Sequence, residues 1–156
     1  MSKRDFKRIA KPLRKFGAHL KLKKNYTLPL TIKGSQNLKP IRYLENKGSA
    51  QVKSSIIFAG ARTSGRTIIK SKKSRDHTER LFKHLRLPIK LKNKKNFDLI
   101  EVNKVKKIEP LNYKIPADLS SCAFFIALTA LLKDSKLTIK DVNINPTRTA
   151  ALTILR

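Results

Sequence analysis

The apolar positions of this chain change period several times, and each change marks an element. Phe6, Ile9, Leu13 and Phe16 recur at helical steps and predict an amphipathic helix that ends at Gly17, with Pro12 expected to kink it or shift its start. The short alternating pieces HLKL, LPLTIKG and IRYLE then read as strands. KGSAQVKSSIIFAGA reads as a helix and RTIIKSK as a strand. SRDHTERLFKHL predicts a second helix of the same unit, with Ser74 as its N-cap and acidic residues in its first turns. PIKLK and FDLIEV follow as paired strands across the turn KNKKN. YKIP is expected to be a strand, SSCAFFIALTALL a helix, KLTIKDV a strand, and NPTRTAALTIL the start of another helix.

This order repeats. A shift of 71 residues sets Ser49 on Ser120, Ala59 on Ala130, Thr67 on Thr138 and Thr78 on Thr149. A shift of 72 sets Ser2 on Ser74 and Arg8 on Arg80. The unit is strand, helix, strand, helix and two further strands, and matched element order supports it as much as matched residues. The chain opens at the second helix of one unit, holds one complete unit, and stops within the second helix of another. The expectation is a piece of a longer protein.

Charge changes the picture only partly. Of 156 residues, 37 are Lys or Arg and 10 are acidic, a formal charge of +27 that favours polyanionic partners. Lysine, isoleucine and asparagine are all abundant, the signature of AT-rich codons, so much of the excess is expected to be solvated background. The single cysteine, Cys122, excludes an internal disulfide and lies in an apolar helix, where burial is expected. The first residues lack the apolar stretch of a signal peptide, and Ala123 to Leu132 is too short to span a bilayer. A cytoplasmic chain with no membrane partner is the expectation. His77 and His84 lie seven apart without Cys or acidic partners at zinc spacing, so no metal is expected.

The chemistry gathers at helix starts. SAQVKS, SRDHTE and NPTRT each combine hydroxyls, free backbone N–H groups and a positive dipole end, which together favour anions. Arg4, Lys53, Arg75 and Arg148 stand beside them. Any one cluster is explained by capping alone, but three in register, with Gln51 and Arg75 added, point to a ligand.

SAQVKS, SRDHTER, DLSSCAFF and NPTRT closely resemble motifs of the 5-enolpyruvylshikimate-3-phosphate synthase family, class II form, and SKRDFKRIAKPLRKFGA resembles the segment preceding them. The likeness covers essentially the whole chain. It implies an α/β (α+β) fold of βαβαββ repeats, the enolpyruvyl transferase domain or inside-out α/β barrel, incomplete here and without the family's second domain. It also implies transfer of the enolpyruvyl group of phosphoenolpyruvate to the 5-hydroxyl of shikimate-3-phosphate, with no metal or organic cofactor.

Residue by residue, the resemblance assigns Ser49, Ala50 and Gln51 to shikimate-3-phosphate, with Gln51 also facing phosphoenolpyruvate. It likewise assigns Arg75, with Ser74 beside it, to shikimate-3-phosphate, and Arg4 to phosphoenolpyruvate. Departures from the family pattern are Asp5 for a proline, Ala117 for a glycine and Ala150 for a glycine. The family's N-terminal phosphate clamp, glycine-rich loop and catalytic aspartate and lysine have no counterpart here. The chain alone is therefore expected to carry part of a binding wall and to depend on the remainder of the synthase for proton transfer; Asp76, Glu79 and Asp118 are read as capping acids. The alternatives are the sister transferase acting on UDP-N-acetylglucosamine and a basic RNA-binding module. The latter lacks the exposed aromatics such modules interleave with their cations, so no specific nucleic acid is expected.

Overall fold

The computed structural model describes residues 5–155. They form two compact units divided between Glu109 and Pro110, and each is described by itself.

The first unit opens with helix α1 (Lys7–Lys15), followed by strands β1 (His19–Leu22) and β2 (Leu30–Lys33), which pair antiparallel. Pro12 is buried inside α1 without displacing its start, and Gly17 closes the helix at a φ of 101°. That left-handed angle is where glycine is least strained. The complete repeat follows: β3 (Arg42–Glu45), α2 (Ala50–Ala61), β4 (Thr67–Lys72), α3 (His77–His84), β5 (Ile89–Asn93) and β6 (Phe97–Val102). Its sheet has the order β3-β4-β6-β5, with β3 and β4 parallel and the other pairs antiparallel. The parallel pair is what the intervening helix requires. This is the strand, helix, strand, helix, two-strand order read from the sequence.

Alternation builds the core. Thr67, Ile69 and Ser71 of β4 and Asp98, Ile100 and Val102 of β6 face inward, toward Ile56 and Ile57 of α2, Phe82 of α3, and Phe16. Each fully buried isoleucine contributes about 1.5–3 kcal/mol through removal of apolar surface from water. The inward rows are not alike, however. Tyr43, Ile69, Ile100 and Leu91 lie across the middle of the sheet, whereas the row beyond them is Glu45, Ser71 and Asp98. The core turns polar where β3 and β4 hand over to their helices.

The second unit contains α4 (Leu119–Leu131) and the short α5 (Ala150–Ile154). Cys122 is buried, as its apolar setting predicts. The strands expected at YKIP and KLTIKDV do not form; a single parallel bridge joins Ala117 to Val142. Two short strands without further neighbours have too few ladder bonds to hold. Helix α4 is apolar on every side, and Phe124, Phe125, Leu128 and Leu131 stand exposed; a helix of that composition normally lies within a core.

Helix α2 crosses β4 at Gly60, where an added Cβ would lie 2.9 Å from the Cβ of Thr67. Gly60→Ala is expected to cost about 1–3 kcal/mol through overpacking, read as a lower unfolding midpoint in urea or on heating.

Candidate functional site

Strands β3 and β4 run parallel as neighbours, so the loops leaving their C-terminal ends emerge side by side. This is the edge where open α/β sheets bind ligands. The β3–α2 loop ends at Ser49, with Ala50 and Gln51 opening α2; the β4–α3 loop carries Ser74 and Arg75.

The buried Glu45 carboxylate holds the first loop. Oε1 accepts from the Lys47 amide at 3.1 Å, and Oε2 accepts from the Gly48 amide at 2.8 Å and from the Ser71 hydroxyl at 3.5 Å. Burial first, then the Glu45 charge, pushes the phenol pKa of neighbouring Tyr43 up. In the second loop, Lys73 Nζ meets Asp98 Oδ1 at 2.5 Å. The two loops touch at Gly48, whose φ is 69° and where a Cβ would stand 3.0 Å from the Lys73 carbonyl oxygen. A side chain there would crowd that oxygen and strain the left-handed backbone.

Ser49 caps α2, its hydroxyl oxygen accepting from the Val52 amide at 3.4 Å. Capping leaves the hydroxyl proton and the first-turn amides of Ala50 and Gln51 for an outside acceptor. The Gln51 carboxamide oxygen accepts from Arg8 Nη2 at 2.7 Å, bringing α1 to the same place. Arg75 is exposed and forms no ion pair or hydrogen bond among the described residues. The buried hydroxyl oxygen of Ser74 has no partner among the described residues, and such an atom costs free energy until something meets it.

Three expectations need correction. Ser74 does not cap α3: that helix starts at His77, with Asp76 at its N-cap and no side-chain capping bond. The Lys73 carbonyl just before Ser74 instead lies against Gly48 of the neighbouring loop. Lys53 is not a cation facing a ligand, and Glu79 is not a capping acid. They are buried together, Lys53 Nζ 2.6 Å from Glu79 Oε1, with side chains 0% and 4% exposed. Arg4 lies outside the described residues. In the second unit, Arg148 reaches back to the start of α4, donating to Asp118 at 2.9 Å and to Ser120. The NPTRT segment and the start of α4 thus meet as the two loops of the first unit do. Among the described residues no group of three His, Cys, Asp or Glu side chains could hold a metal.

Sequence reading missed Glu45, Asp98 and the pairing of α2 with α3. The signal for Glu45 is an acid ending a strand just before a glycine loop. If its carboxylate holds that loop, Glu45→Gln is expected to cost about 1–3 kcal/mol, with amide exchange at Gly48 accelerating more than exchange within β6.

Comparison with known proteins fits this geometry. The family model for EPSP synthase (3-phosphoshikimate 1-carboxyvinyltransferase) matches residues 1–156. The chain is 40% identical over 162 residues to the 3-phosphoshikimate 1-carboxyvinyltransferase of Thermotoga sp. (strain RQ2), covering 100% of this chain and 36% of that protein. It is 42% identical over 158 residues to the enzyme of the same name from Caldicellulosiruptor bescii, again covering 100% of this chain and 36% of the relative. Among solved structures, EPSP synthase from Acinetobacter baumannii superposes with a TM-score of 0.77 at 38% identity, over 98% of this chain and 34% of that one. The chain therefore spans about a third of the length of the relatives it matches. With its βαβαββ unit and paired loops, it belongs to the EPSP synthase (3-phosphoshikimate 1-carboxyvinyltransferase) family and has the enolpyruvyl transferase fold.

Proposed function

We propose that this chain supplies the shikimate-3-phosphate-binding wall of an EPSP synthase. In that reaction the 5-hydroxyl of shikimate-3-phosphate loses its proton as its oxygen adds to the enol carbon of phosphoenolpyruvate and the methylene carbon takes a proton. The resulting methyl group then gives up a proton as phosphate leaves, which restores the carbon–carbon double bond. The observation that carries the reading is the side-by-side placement of Ser49–Ala50–Gln51 and Ser74–Arg75, joined at Gly48.

The proposed roles follow from the chemistry of each group. The Ser49 hydroxyl and the amides of Ala50 and Gln51 donate to the phosphate and hydroxyl oxygens of the shikimate ligand. Arg75 offers a planar guanidinium fork that suits an oxyanion. Ser74 Oγ gains the partner it lacks. Gln51 faces the incoming phosphoenolpyruvate, with Arg4 as the proposed cation for that substrate. Within this chain no residue is assigned to proton transfer; those steps fall to the remainder of the synthase, the proposed partner.

The exposed apolar face of α4 supports that partner, since the remainder of the fold would cover it. Both compact units then belong to one enolpyruvyl transferase domain. No helix among the described residues is long and apolar enough to cross a membrane, and the cytoplasm is the proposed location.

Because Arg75 is exposed and has no ion pair among the described residues, Arg75→Ala isolates binding from folding. Calorimetric titration with shikimate-3-phosphate is expected to show affinity falling about 10- to 100-fold, the loss of a charge-assisted hydrogen-bond pair of about 1.5–3 kcal/mol. The unfolding midpoint should not move. Equal affinity in both proteins would remove Arg75 from the site.

A further inference from the structure

Lys53 and Glu79 take part in no step above, yet they are the most completely buried opposite charges among the described residues. Among the described residues, Lys53 Nζ has no partner beyond its 2.6 Å contact with Glu79 Oε1, and Glu79 Oε2 has none. Immediately beside them, Ser54 Oγ and Thr78 Oγ1 share a hydrogen bond of 2.7 Å. Two adjacent positions of α2 are thus fastened to two adjacent positions of α3, within the first turns of both helices. One turn upstream stand Ser49–Gln51 on one side and Ser74–Arg75 on the other.

A buried ion pair is a poor source of stability, because desolvating both charges offsets most of their attraction, and a well-packed apolar pair commonly does as well or better. What such a pair adds is direction. An ammonium that cannot reach water has one acceptable position, whereas apolar side chains tolerate sliding. The pair lies where sliding would matter, since moving α3 along α2 would carry Arg75 away from Gln51.

We propose that Lys53 and Glu79 are positioning residues, which hold the starts of α2 and α3 in the register that lets the two loops bind one ligand. The proposal rests on the shikimate-3-phosphate reading for its ligand but not for its effect on the free chain.

The test replaces both charges at once, Lys53→Met with Glu79→Leu, and makes three measurements on the full chain. The unfolding midpoint should stay level or rise. Backbone NMR order parameters at Gln51 and Arg75 without ligand should fall from about 0.85 toward about 0.6. The dissociation constant for shikimate-3-phosphate should weaken at least about tenfold, as misplaced contact groups require. Unchanged order parameters and affinity in a stable double variant would overturn the proposal and leave the pair a packing feature. If the unsubstituted chain does not bind shikimate-3-phosphate, the ligand reading fails, and the order parameters alone decide the positioning role. Should the double variant not fold, Glu79→Gln, which keeps the volume and one acceptor oxygen, is measured in the same way and decides by the same two outcomes.

Discussion

One row across the sheet, Glu45 beside Ser71 beside Asp98, is where the apolar core ends and the site begins. A buried carboxylate must find donors, and the donors that Glu45 finds are the Lys47 and Gly48 amides that open the loop to α2. Asp98 does the same for the second loop through Lys73. Because β3 and β4 are parallel neighbours, satisfying these two acids also sets the loops side by side, and Gly48 lets them touch. The arrangement of the site follows from the hydrogen-bonding needs of the last inward-facing row.

That constraint explains how one stretch suits both helix capping and the proposed ligand binding. Ser49 is an ordinary N-cap in its bond to Val52, and capping does not compete there with the proposed ligand binding. The cap uses a lone pair of the hydroxyl, while its proton and the next two amides remain available. Arg75 differs from the lysines that make up most of the +27 charge: it sits at the mouth of this arrangement and has no partner of its own among the described residues.

Much of this was legible in the sequence. Alternation located the strands of the complete repeat, and the small polar cluster before IIFAGA located the start of α2. The losses have physical causes. YKIP and KLTIKDV carry strand-forming residues, but a ladder needs neighbours that local pattern does not supply. Ser74 precedes a helix, as a cap does, yet the Lys73 carbonyl before it lies against Gly48 of the adjacent loop and α3 starts later. Lys53 was misread because its charge outweighed its position. Val52, Lys53, Ile56, Ile57 and Gly60 form one buried stripe of α2, so the helical period places Lys53 inside. Glu79 shares the buried side of α3 with Phe82 in the same way. A lysine and a glutamate on facing apolar stripes are a pair in waiting, recognisable only once the helices are known to be neighbours.

The central claim is that the loops after β3 and β4 form one ligand-binding surface. Titrating the isotopically labelled chain with shikimate-3-phosphate at moderate salt, with an RNA oligomer as control, tests it most directly. The account predicts saturable amide shifts confined to Ser49, Ala50, Gln51, Ser74 and Arg75. The absence of shifts, or shifts scattered over exposed lysines and reproduced by the RNA, would contradict it.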